Sequence, residues 1–184
     1  MYITDQLFNI KDFLPYSNTY VESGSCNGES IRRALEAGFK RIKSVELDES
    51  FYRQCVQRFK DKPVELFWGK STDHLNQMLA DVYVPAVIFL DAHPAGPGTG
   101  GHEEFLKGNL EFLQDNILRH ELSILLDHRR DHLIIIDDQT PGSEADYYID
   151  YLRKFNPSYE PYWYDEQLRE DQPFFKNKIL VCAP

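Results

Sequence analysis

Apolar residues fall into short runs, separated by segments whose apolar positions recur every three or four residues. The runs Thr19–Ser23, Arg41–Leu47, Val64–Trp68, Ala86–Leu90 and Leu133–Ile136 read as strands. The intervening periodicity predicts helices over Glu29–Ala37, about Ser50–Lys60, about Thr72–Ala80, about Glu103–Leu126 and Ser143–Phe155. Gly38 is placed to close the first helix in a left-handed conformation. Ser143 and Asp146 have the spacing of a capping box. Two further strands, about Tyr159–Tyr164 and Lys178–Cys182, have no helix between them and read as a hairpin.

Strands that alternate with helices imply right-handed crossovers and a mostly parallel sheet. Ala86–Leu90 and Leu133–Ile136 are apolar throughout, as strands covered on both faces must be. The expected fold is α/β: a doubly wound, Rossmann-like three-layer sandwich. Its sheet has seven strands, mostly parallel, with an antiparallel C-terminal hairpin at one edge. The whole chain, 1–184, reads as one domain.

Composition narrows the partners. Thirty acidic and 20 basic residues give a net charge of -10, which disfavours a polyphosphate backbone. The one basic cluster, Arg32, Arg33, Lys40, Arg41 and Lys43, reads as a solvated face. Three cysteines, Cys26, Cys55 and Cys182, form neither a disulfide framework nor a metal-ligand spacing, so reducing, cytoplasmic conditions are expected. The sequence has no run of about 20 apolar residues, and Met1–Asp12 does not read as a signal peptide. No membrane partner is expected.

In a doubly wound sheet, ligands bind outside the carboxyl ends of the strands. The first of the five strands ends in Glu22-Ser23-Gly24-Ser25-Cys26-Asn27-Gly28, a glycine-bracketed turn into a helix. Cys26 stands where dinucleotide folds carry their middle glycine. The second ends in Glu46-Leu47-Asp48; Glu46 is placed for ribose hydroxyls, and Asp48 is placed to cap the next helix. The third ends in Gly69-Lys70-Ser71, where Ser71 reads either as an adenine contact or as a helix cap. The fourth ends in Asp91-Ala92-His93. The fifth ends in Asp137-Asp138, two adjacent carboxylates that repel unless neutralised. Asp91, Asp137 and Asp138 together suit a hard cation such as magnesium, or else a set of backbone donors.

Taken in order, VESGSCNG, VELD, WGKS, FLDAH and IIIDD resemble the class I S-adenosylmethionine-dependent methyltransferases. Within that class they are similar to the metal-dependent catechol and macrocin O-methyltransferase types. The resemblance covers about Thr19 to Gln139. It implies that Glu22, Gly24, Ser25 and Gly28 surround the methionine part of the cofactor, that Glu46 holds the ribose, and that Ser71 approaches the adenine. Asn27, Leu47, Gly69 and Lys70 complete the implied cofactor-binding set. Asp91 is implied at the sulfonium end and, with Asp137 and Asp138, at a magnesium ion. The catechol type has an asparagine at the position of Asp138, and a lysine base a few residues after Asp91 where this chain has none. His93 is the expected general base in its place, and His102 is a second candidate. Pro94–Gly101 reads as a rim over the acceptor.

The implied activity is O-methylation of a small molecule or sugar. Two other readings stay open: an inactive cofactor-binding sensor or scaffold, and an NAD-dependent oxidoreductase, whose ribose would suit Glu46 equally well. Tyr147, Tyr148, Tyr151, Tyr159, Tyr162, Trp163 and Tyr164 would line an acceptor pocket or pack helix on sheet.

Overall fold

The computed structural model describes residues 2–92, 106–108, 114–139, 141–165 and 178–184. All seven expected strands form, and an eighth precedes them. The strands are β1 (Tyr2–Leu7), β2 (Thr19–Ser23), β3 (Arg41–Glu46), β4 (Val64–Trp68), β5 (Val87–Leu90), β6 (Leu133–Gln139), β7 (Glu160–Asp165) and β8 (Lys178–Ala183). The helices are α1 (Glu29–Ala37), α2 (Glu49–Arg58), α3 (Ser71–Leu79), α4 (Gln114–Asp127) and α5 (Ser143–Phe155). A single 3-10 turn, Ile10–Phe13, follows β1.

The strand order across the sheet is β1-β7-β8-β6-β5-β2-β3-β4. Strands β4, β3, β2, β5 and β6 are mutually parallel. β8 runs antiparallel between β6 and β7. The hairpin therefore forms as expected, but β1 pairs in parallel with β7 and becomes the outermost strand. The order reverses at β2 and β5, which are neighbours although β3 and β4 separate them in sequence. That switch point opens a crevice at the strand ends.

The three layers follow from two apolar clusters. One joins Val21, Val45, Ile88 and Ile134 of the sheet to Leu75, Met78, Leu122, Leu125 and Leu152 of α3, α4 and α5. The other joins Tyr20, Ile42, Phe89 and Ile135 to Ile10 and Phe13 of the 3-10 turn, and to Ile31, Ala34 and Cys55 of α1 and α2. Alternate residues of one strand thus serve opposite faces, as the pleat requires. No helix among the described residues is long and apolar enough to cross a membrane.

Local chemistry explains two of the helix ends. Gly38 caps α1 at φ 109°, its N–H bonding the Ala34 and Leu35 carbonyls. Asp48 caps α2, accepting from the Ser50 and Phe51 N–H groups at 2.8 and 3.2 Å. The capping box expected at Ser143 is not the device used for α5: Gly142 is the N-cap, and it makes no side-chain cap bond.

Two other expectations change. Lys43 is not on a solvated face: it lies in β3, 2% exposed, with Nζ 2.7 Å from Asp81 and 3.0 Å from Glu65. Two carboxylates reaching in from the rim make its burial tolerable. Strand β6 also continues beyond Ile136 to Gln139, so both aspartates belong to the strand.

Candidate functional site

The turn after β2 is built on a close approach. Gly24 has φ +84°, and a Cβ there would lie 2.3 Å from the Asp91 carbonyl oxygen. The Asp91 N–H in turn donates to the Ser23 carbonyl and hydroxyl, both at 3.2 Å. β2 and β5 therefore press together at the switch point, and only glycine fits there. Gly28, at φ +79°, brings the start of α1 against the Phe59 ring and Cys55 Sγ. Between them Cys26 has φ +45°. The missing middle glycine is thus a cysteine held in a glycine-like conformation, a strained arrangement of the kind found at functional turns.

Beneath this turn lies a buried polar network. Glu22 is fully buried. Its carboxylate accepts from the Tyr20 hydroxyl at 2.8 Å and from Ser44 Oγ at 2.7 Å. Ser44 Oγ is also 2.6 Å from Ser25 Oγ, which carries the network up into the turn. Burial pushes the Glu22 carboxyl from 4.5 up to about 7, against the opposing pull of hydrogen bonds from Ser30, Ser44 and Tyr20. The Tyr20 hydroxyl is also pushed up, by burial and then by Glu22.

Glu46 ends β3 beside the same turn. One carboxylate oxygen accepts from the Cys26 N–H at 2.6 Å, and the other from the Asp48 N–H at 2.8 Å. These bonds aim the carboxylate and stitch the β2 and β3 strand ends together. A carboxylate offers about four lone-pair sites, so acceptor capacity remains for a ligand hydroxyl. Burial raises the Glu46 carboxyl above its usual range, against those N–H bonds. Asn27, in the same turn, accepts from the Glu29 N–H at 3.2 Å.

At the end of β4, Lys70 is the N-cap of α3 and makes no side-chain cap bond. Ser71 is the first helical residue, 7% exposed. It is therefore not the cap, although the sequence allowed that reading. Gly69, at φ +143°, lies against the His74 ring.

The ends of β5 and β6 are acidic, at Asp91 and at Asp137 and Asp138. Among the described residues no three His, Cys, Asp or Glu side chains are placed to hold a metal ion. β6 carries Asp137 and Asp138 as consecutive strand residues. The ladder to β8 also breaks register between Ile136 and Gln139, with Asp138 at φ +53°. His93, His102 and the Pro94–Gly101 rim lie outside the described residues.

One residue of this region was missed. Glu121 of α4 is 1% exposed and lines a cavity of about 10 Å³ with Leu90, Ala92, Ile136 and Asp137. Its signal was in the sequence: an acid between Leu118, Leu122 and Leu125 on the apolar stripe of the helix. Of the aromatic residues, Tyr148, Tyr159 and Trp163 pack in the core. Tyr151 packs against that core and stacks on Tyr147 along α5.

No family model and no curated protein sequence matches the chain. Solved structures do. The methyltransferase domain of bacterial CtHen1 superposes with a TM-score of 0.60 at 14% identity, covering 94% of this chain and 94% of that one. An rRNA methylase from Streptococcus thermophilus gives 0.56 at 15%, covering 94% and 92%. The O-methyltransferase from Bacillus cereus, in complex with S-adenosylhomocysteine, gives 0.53 at 16%, covering 91% and 74%. With its strand order and its glycine turn at the switch point, the chain has the fold of the class I S-adenosylmethionine-dependent methyltransferases.

Proposed function

We propose that the protein is an S-adenosylmethionine-dependent O-methyltransferase acting on a small molecule or sugar. The observation that supports this best is the pairing of Glu46 with the Gly24 turn. A carboxylate held by two backbone N–H groups presents free lone pairs to a ribose diol. The close backbone approach at Gly24 sets the turn that would receive the amino-acid end of the cofactor.

The bound cofactor supplies a methyl group already activated on a sulfonium. The protein's task is then to hold and align. Glu22, Gly24, Ser25, Asn27 and Gly28 shape the amino-acid end. Glu46 and Leu47 take the ribose, and Gly69, Lys70 and Ser71 take the adenine edge. Asp91 flanks the sulfonium end, and His93 accepts the acceptor's proton. No step in this reading is routed through magnesium.

Calorimetric titration with S-adenosylhomocysteine, with and without magnesium and with NAD as control, tests the reading. Selective binding of S-adenosylhomocysteine is expected. Binding of NAD alone would move the protein to the oxidoreductases, and binding of neither would leave the turn as architecture. Glu46→Ala should weaken S-adenosylhomocysteine by roughly 1–3 kcal/mol, the usual loss for hydrogen bonds to a charged group. Unchanged affinity would reduce Glu46 to a structural clamp.

RNA is the second acceptor class to screen. The match to the rRNA methylase covers 92% of that chain, whereas the match covers only 74% of the Bacillus cereus enzyme. The net charge of -10 favours the small acceptor. Transfer of labelled methyl to total RNA, against none to a library of hydroxylated small molecules, would reverse that preference.

A further inference from the structure

We propose that Trp68 is a positioning residue of the cofactor site, holding the turn after Glu46 in the shape that receives an adenine nucleoside. The inference rests on the cofactor reading above and concerns how this chain keeps that turn rigid.

Trp68 is the last residue of β4 and stands directly opposite Glu46 in the parallel ladder. Paired residues of neighbouring strands share a face, so the indole and the Glu46 carboxylate leave the sheet on the same side. The indole Nε1 donates to the Leu47 carbonyl at 3.2 Å. The ring stacks on Tyr52 of α2, with centroids 6.3 Å apart and planes 22° from parallel.

Core packing does not explain this placement. The indole is 52% exposed and belongs to neither apolar cluster. Its contacts converge instead on residues 46–48. Glu46 accepts from the Asp48 N–H, Asp48 caps α2, and Trp68 fixes the carbonyl between them. A peptide plane pinned at its carbonyl cannot turn without breaking that bond, so the carboxylate of Glu46 and the backbone of Leu47 are preset together. Preset geometry lowers the ordering cost of binding.

Trp68→Phe tests this, because it deletes the N–H donor while keeping a smaller aromatic ring for Tyr52. S-adenosylhomocysteine affinity should fall about two- to tenfold, the usual worth of one neutral hydrogen bond, with the melting midpoint nearly unchanged. In a Glu46→Gln background the same substitution should cost less than about twofold, because the carboxylate it positions is gone. Equal losses in both backgrounds would mean a merely structural residue and would overturn the inference. Wild-type affinity in Trp68→Phe would overturn it too. Ligand binding should also quench the half-exposed indole, since the only other tryptophan, Trp163, is fully buried. A wild-type protein that binds no S-adenosylhomocysteine would instead overturn the cofactor reading, and this inference with it.

Discussion

Glu22→Gln should stabilise the protein above neutral pH and flatten its stability profile between about pH 4.5 and pH 7. Glu22 is fully buried, and its carboxyl titrates near 7 rather than at 4.5. The folded state therefore binds this proton more tightly than the unfolded chain does. Stability from the protonated form is complete below pH 4.5 and is lost as pH rises through 7. The loss amounts to about 3 kcal/mol at 1.36 kcal/mol per pH unit. Glutamine cannot ionise, so it keeps the neutral form at every pH. Its amide also has to fit donors already aimed at a carboxylate, which makes about 3 kcal/mol an upper figure. Urea midpoints of both proteins at pH 5, 6, 7 and 8 decide the matter. Two parallel profiles would show that Glu22 is not the group that titrates.

The same residue illustrates what a sequence can and cannot disclose. Acids and glycines at strand ends stand out in the sequence, and Glu22, Gly24 and Glu46 were singled out as candidates on that ground. The Ser44 partner of Glu22 was not, because that residue lies 22 residues away on a different strand. The strands β5 and β6 were legible because burial on both faces leaves only apolar residues. Where β6 stops was not, since Asp137 and Asp138 look like a loop while the backbone still pairs through Gln139. β1 was invisible because Tyr2–Leu7 is a strand only through its pairing with β7, at the far end of the chain. Lys43 looked solvated because its two carboxylate partners come from Glu65 and Asp81. Local pattern names the residue types at the strand ends, while tertiary pairing decides which of them meet.

Gly24→Ala should be the most damaging small substitution in the turn. Alanine must adopt φ +84° and place its Cβ 2.3 Å from the Asp91 carbonyl oxygen. The left-handed conformation costs about 1–3 kcal/mol, and displacing packed neighbours adds roughly as much again. Because the obstruction is backbone, relief requires β2 and β5 to separate at the switch point, which also moves Asp91. Stability should drop by about 2–5 kcal/mol, and S-adenosylhomocysteine binding should disappear with it. Gly28→Ala is the internal control. Its φ is similar, +79°, but its Cβ would meet the Phe59 ring at 2.5 Å, and a side chain can swing aside. The expected order is therefore wild type, then Gly28→Ala, then Gly24→Ala, in both unfolding midpoint and ligand affinity. Should Gly24→Ala fold and bind as well as Gly28→Ala, the close approach of β2 to β5 would not be what shapes the site. The weight of the cofactor reading would then fall on Glu46 alone.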